Sequence, residues 1–445
     1  MSQKDWSKMG RAVAAISLVL MLTLGGRALA GVEIVSDQPA ATLLLPYFEV
    51  NLTNPSAATT LLSINDSSAT AMLAHVVIWS DLSVPVLQFN VYLTGYDVYR
   101  LNVQSLVING TQPQTASAGQ DPSDTISPKG SLSQDINFAS CTGKLPNPKL
   151  TAQQLTDLQD ALTGNPSAGL GNKCAGVNHG DRIARGYITV DAVNNCTTRF
   201  PGDVGYFGAG GTGDATNQNT LWGDAFYINK ATNKAFAQPL VHVLASGTDP
   251  ATSTSGRYTF YGRYDGFTAV DNRQPLSTSF AARYINATSA EGKRYFSSGT
   301  SMIVWRDSKV AQSAFTCPAA LGSTPAWYGL GQEGIAIFDE QEHPQLPKVC
   351  KIPPCPPSAA LAPFPAETQR IKVGASALPT TFDAGWMFLD LNTTVAAAGS
   401  NPPIDPAAAQ AWVITLYDNS GLIPYRVGER AILLDSAIAA RHFVP

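Results

Sequence analysis

Apolar and polar residues alternate with a period of two over much of this chain, and the alternation predicts strands. From Val86 to Thr94, Leu87, Phe89, Val91 and Leu93 fall on one face, while Gln88, Asn90, Tyr92 and Thr94 fall on the other. Successive side chains of a strand point to opposite faces, so this is a half-buried strand. Met72 to Trp79 is apolar on both faces, which suits a central strand covered on both sides. Thr42 to Val50 is an apolar run broken by Pro46, and Leu62 and Ile64 alternate with Ser63 and Asn65. Turn-forming residues at 65–68 and 94–97 separate these segments, so 42–108 reads as successive strands. Further strands are expected at 183–193, 221–229, 240–245, 257–264, 276–286, 301–306, 334–339, 385–392 and 411–418. The last is followed by Asn419-Ser420-Gly421 and an apolar stretch at 422–427, which reads as a hairpin.

One segment breaks the pattern. Over 151–163, Leu155, Leu158 and Leu162 share a helical face, Thr151 and Gln154 form a capping-box pair, and Gly164 and Pro166 end the run. The chain therefore reads as all-β with minor α. It is expected to hold two immunoglobulin-like β-sandwich regions and a disulfide-closed insert carrying one short helix. The expected regions are 31–115, an N-terminal sandwich; 116–250, the insert with helix 151–163 and further strands; and 251–445, a C-terminal sandwich with a Pro-rich loop at 344–366. A faint echo links Val76–Asp81 to Ile303–Asp307, with Val413–Asp418 as a looser third copy.

The N-terminus changes the picture from fold to address. Lys4, Lys8 and Arg11 precede an apolar run over 12–26, and Ala28-Leu29-Ala30 is a small-x-small site before Gly31. This is the grammar of a secretory signal peptide, residues 1–30, cleaved after Ala30. The apolar run is shorter than the ~20 residues a bilayer span needs, so no transmembrane anchor is expected after signal removal. The expected location is secreted, periplasmic or cell-surface. Removal of 1–30 takes four basic groups and one acid, moving the net charge from −4 to −7. A mildly acidic chain without basic clusters is a poor nucleic-acid partner. Six cysteines in an exported chain read as disulfides. Cys141–Cys174 is the expected bridge around the helix; Cys317 is expected to join Cys350 or Cys355, and Cys196 is unassigned.

Candidate chemistry is sparse. Gly208-Ala-Gly-Gly-Thr-Gly213 matches a dinucleotide fingerprint in letters but lacks the strand before it and the helix after it, so it reads as a flexible loop. No cofactor is expected, although calcium is a candidate at the loop residues Asp214, Asn217 and Asn219, or at Asp265-Gly266 and Asp271-Asn272. Asp339, Glu340, Glu342 and His343 form the densest polar cluster and a candidate metal site. In an extended chain they alternate faces, so convergence needs a tight turn. Among the histidines, His75 reads as a core residue and His179 as exposed. Three Trp-x-Asp pairs stand out: Trp79/Asp81, Trp222/Asp224 and Trp305/Asp307. Residues i and i+2 of a strand share a face, and an indole beside a carboxylate offers a stacking plane and a hydroxyl acceptor for a sugar. The same pairs are also what buried strands ending in a turn Asp look like.

The chain resembles exported bacterial β-sandwich proteins in architecture, and such a likeness transfers no activity. Its expected function is that of a non-enzymatic extracytoplasmic or cell-surface protein, structural or adhesive, acting through its sandwich surfaces on other surface proteins. The alternative is a carbohydrate-binding or carbohydrate-cleaving secreted protein acting on an extracellular glycan. A third reading is a module that accepts strands from a partner at exposed sheet edges.

Overall fold

Four sheets carry the described residues, and the first is buried on both faces. In the computed structural model the first sheet runs β10 (Val241–Val243), β1 (Thr42–Asn51), β6 (Ile183–Val193), β3 (Met72–Ser80), β4 (Pro85–Leu93). The second runs β17 (Arg430–Ala431), β9 (Lys234–Pro239), β8 (Asp224–Asn229), β2 (Ala58–Asp66), β5 (Val98–Asn102), with β7 (Leu221–Trp222) also on β2. The third is β13 (Gly334–Asp339), β15 (Ala384–Asp390), β11 (Ser279–Ile285), β19 (Ile438–Ala440). The fourth is β14 (Thr368–Lys372), β12 (Gly299–Arg306), β16 (Ala411–Asp418), β18 (Leu433–Ser436). Among the described residues every strand pairing is antiparallel except β17 with β9. The structure describes residues 38–112, 138–232, 234–246, 259–266, 268, 270–286, 299–308, 310–325, 334–345, 364–391, 410–418, 430–431, 433–436 and 438–440. The expected signal peptide at 1–30, Cys350, Cys355 and the expected hairpin partner at 422–427 lie outside them.

All nine residues of β3 are buried, as its two-faced apolar sequence requires. Ala74, Val76 and Ile78 join Leu43, Ile188, Leu62, Ile64, Leu101 and Tyr227 in the core between the first two sheets. On the opposite face Val77 and Trp79 meet Tyr187, Phe260, Tyr261 and Trp305. Pro46 cannot donate to a ladder, and the register of β1 against β6 shifts between Leu45 and Phe48. Gly186 lies where β6 passes close to β3; a Cβ there would stand 2.0 Å from the Trp79 carbonyl oxygen. Phe280, Met387, Met302, Val304 and Val413 form a further core from the third and fourth sheets. The first two sheets draw strands from both sides of position 115, so the boundary expected there falls within shared sheets.

The expected helix is α2 (Ala152–Leu162), with Thr151 and Gln154 in a reciprocal capping box and Leu158, Ala161 and Leu162 buried. Sequence reading missed α1 (Val103–Asn109), placed among the strands. Its signals were local: the Asn102 side chain accepts from the Gln104 and Ser105 amides, and Gly110 closes the helix in the left-handed region. Its Val103, Val107 and Ile108 disguised it as strand. The stretch 257–264 corrects the reading in the other direction. Its described part, 259–264, is a turn in which the Tyr261 amide donates to Asp271 (2.7 Å) rather than to a neighbouring strand.

The disulfides also correct the expectation. Cys141 pairs with Cys196, and Cys174 with Cys317. The helix is not closed by a single bridge across its flanks. Instead each flank is tied to a distant segment, because Cys141 packs with Val193 and Cys196 and Cys174 packs with Phe315. Non-reducing peptide mapping is expected to recover these two linkages. The double variant Cys174→Ala/Cys317→Ala is expected to lose about 2–5 kcal/mol in urea unfolding.

Candidate functional site

Two of the three Trp-x-Asp pairs meet inside the protein. The Trp79 ring stacks on Tyr187, centroids 5.6 Å apart and planes 4° apart, and Trp305 approaches Tyr187 edge-on at 5.9 Å. Trp79 Nε1 donates to Thr189 Oγ1 at 2.9 Å. Both indoles are buried, so neither offers a ring face to a sugar. Their acids serve as structural acceptors. The Asp81 carbonyl receives the amides of Glu367 and Thr368, while its carboxylate takes the Val177 amide at 3.0 Å and lies 3.6 Å from His179. Asp307 joins a buried cluster in which Arg263 Nη1 reaches Asp307 Oδ1 at 3.2 Å and Glu367 Oε1 at 2.7 Å.

That cluster is closed by polar groups. Tyr187 donates to Ser83 Oγ at 2.8 Å, Ser83 donates to Glu367, and Gln410 Nε2 donates to Asp307 Oδ2 at 2.9 Å. Ser83 sits in the left-handed region, φ 60°. Burial raises the Glu367 carboxyl above its usual range, with Arg263 opposing the rise. A second buried acid, Asp191 on β6, accepts from Tyr206 (2.6 Å), Tyr261 (3.0 Å) and Thr42, with Arg273 Nε 3.7 Å away. Arg273 also donates to the carbonyls of Asp271 (2.8 Å) and Thr216 (3.1 Å). Sequence reading singled out Asp307 and Asp271 for other reasons but missed Arg263, Glu367, Asp191 and Arg273, each of which has a partner more than 100 positions away. His75 is buried as expected, with Nδ1 3.1 Å from Asn90 Oδ1, and desolvation lowers its pKa.

The candidate metal residues do not converge. Asp339 is occupied by its own turn: Oδ1 accepts from the Gln341 and His343 amides, and Oδ2 lies 2.9 Å from His343 Nδ1. Glu340 turns away to Arg283 at 2.8 Å, and Glu342 takes φ 65°. Among the calcium candidates, Asp214 accepts from Thr197 (2.6 Å) and Arg199 (2.9 Å), and Asp271 is buried against the Tyr261 amide. Among the described residues no group of three or more His, Cys, Asp or Glu side chains is placed to hold a metal ion. The Gly-rich segment 208–213 is a loop with a single 3-10 turn at Ala209–Gly211.

The third pair lies apart. Trp222 is 40 % exposed on the solvent face of the second sheet. Alternation along each strand, combined with the register, builds that face row by row. Trp222, Asn65 and Val98 form one row, Asp224, Ser63 and Arg100 the next, and Phe226, Leu61 and Asn102 the third. The opposite face carries Leu62, Ile64, Tyr99, Leu101, Ala225 and Tyr227 into the core. Among the described residues, four of the six exposed large hydrophobics, Tyr96, Val98, Trp222 and Phe226, belong to this face or its rim. A shallow groove of about 430 Å³ crosses it, with Leu61, Val98 and Phe226 as its apolar walls and Arg100, Asn102 and Ser105 beside them. Neither Arg100 nor Asp224 has an ion-pair partner among the described residues. The face was partly legible in the apolar run Ala225–Ile228, which leaves Phe226 and Ile228 on the side away from the core.

No family model, no curated protein and no solved structure matches this chain. Among the described residues no helix is long and apolar enough to cross a membrane.

Two outcomes test the buried groups. Arg263→Met leaves Glu367 and Asp307 unpaired in the interior and is expected to cost about 3–5 kcal/mol in urea unfolding. Asp271, whose carboxyl burial pushes up to about 7 from 3.8, favours folding while it is protonated. Its contribution is full below its unfolded pKa and fades as pH rises through its folded one. The stability of the natural protein relative to Asp271→Asn is therefore expected to fall as the pH is raised from 4 to 8; a flat difference between the two unfolding series counts against the assignment.

Proposed function

We propose that this is an exported, non-enzymatic extracytoplasmic or cell-surface protein, structural or adhesive, that acts through the solvent face of its second sheet. The observation that carries the reading is the concentration of exposed Tyr96, Val98, Trp222 and Phe226 on that face, since contiguous apolar surface marks contact sites. Export is supported by the signal-like residues 1–30 and by the two disulfides, which persist in oxidising compartments. The immunoglobulin-like character of its sandwich regions belongs to the same proposal. It is supported by antiparallel sheets closing over the Phe280–Met387–Val413 core. The buried Arg263 and Asp191 clusters support a structural role for those ionised groups, which are sealed from solvent.

A second reading is favoured by one observation. Trp222 and Asp224 are the one Trp-x-Asp pair presented to solvent, with Phe226 further along the same face, so an extracellular glycan could stack there. Cell fractionation with N-terminal sequencing is expected to find the protein outside the cytoplasm and beginning at Gly31. The double variant Trp222→Ala/Phe226→Ala is expected to weaken attachment to the producing cells' envelope by at least about tenfold, as loss of aromatic anchors does, while its disulfides and circular dichroism stay unchanged. Glycan-array binding that vanishes in the same variant selects the second reading. Unaltered attachment refutes this face as the contact surface.

A further inference from the structure

We infer that the partner of this face is a second copy of the chain. The inference rests on the reading of the face as a contact surface, and it follows from the charges the face carries. Arg100 and Asp224 lie in one row, on opposite sides of Ser63. Adjacent strands stand about 4.8 Å apart, so the two charges are about 10 Å apart on the same surface. Neither pairs with the other or with another described residue; Arg100 is exposed and Asp224 is half-buried.

Such a row is self-complementary under one operation. A two-fold axis lying in the interface along β2 sets β5 of one copy over β7 and β8 of the other. Arg100 then faces Asp224 of the second copy, and Asp224 faces its Arg100. The flanking rows agree: Val98 faces Trp222, and Asn102 faces Phe226. Phe226, 44 % exposed, thus points at the groove beside Asn102 and Ser105, and the contact is made twice. An axis across the strands would instead put Arg100 on Arg100, so the charges select the first arrangement. Sheets pack face to face about 10 Å apart with their strands aligned within about 30°, which this axis permits. The contact spans three rows of three strands, and contacts at the low end of specific interfaces, below about 1,200 Å² in total, are reversible, so the dimer is expected to be concentration-dependent.

Sedimentation equilibrium of the purified protein over a range of concentrations tests this. A monomer–dimer equilibrium is expected that weakens with added salt, because the attraction between Arg100 and Asp224 of the two copies is screened. Arg100→Glu and Asp224→Arg are each expected to weaken the dimer about tenfold, and the double swap Arg100→Glu/Asp224→Arg to restore it. Circular dichroism and thermal melting check that each variant is folded. Should a reversal disturb the fold, Arg100→Gln and Asp224→Asn replace it and are expected to weaken the dimer and reduce its salt dependence. A protein monomeric at every concentration, a dimer indifferent to the single changes, or a swap that fails to restore it overturns the inference. A monomer whose attachment to the envelope still depends on Trp222 and Phe226 overturns the dimer alone and leaves the contact surface standing.

Discussion

The structure depends on a cation sealed inside it. Arg263 is 7 % exposed and holds Glu367 and Asp307, which are more deeply buried still. A charge so placed is tolerated when its partners and hydrogen bonds are all in position. Those partners come from everywhere: Ser83 from the turn after β3, Tyr187 from β6, Asp307 from the end of β12, and Glu367 from the residue before β14. A buried pair adds little net stability compared with apolar packing, but its removal leaves a bare charge. The cluster therefore acts as a registry device, accepting one mutual placement of the first and fourth sheets. The aromatic group of Trp79, Tyr187 and Trp305 packs beside it, buried.

The same logic runs through Asp191. Three hydroxyls and Arg273 converge on it, and two of the hydroxyls, from Tyr206 and Tyr261, belong to irregular segments. Those loops hold their place on the first sheet through buried polar contacts as well as apolar ones. The disulfides act at a third level, tying Cys141 to the end of β6 and Cys174 to the segment after β12. Among the described residues, four of the six exposed large hydrophobics stand on the solvent side or rim of the second sheet.

Local order was largely readable from residues. The strands at 183–193, 334–339 and 411–418 and the capped helix after Thr151 follow from alternation and end signals acting over a few positions. The Trp-x-Asp pattern was visible too, but its meaning was not. The alternation that puts Trp79 and Trp222 each beside an acid is identical; one is sealed by Tyr187 and the other stands in solvent. Which face is covered depends on what packs against it from elsewhere in the chain. The cysteines failed for the same reason: proximity in sequence favoured Cys141 with Cys174, whereas the fold brings Cys196 and Cys317 to them.

The amino-acid sequence by itself determined the elements: a β-rich chain, its two-faced central strand and one capped helix. Those features arise from interactions between near neighbours, which spacing records. The tertiary structure alone decided the disulfide partners, the burial of Trp79 and Trp305, the cluster around Arg263, and the row that sets Arg100 and Asp224 on one open face. Each of these is made by groups 100 or more positions apart for at least one contact. No periodicity in the chain records a pairing that strand register and sheet packing create.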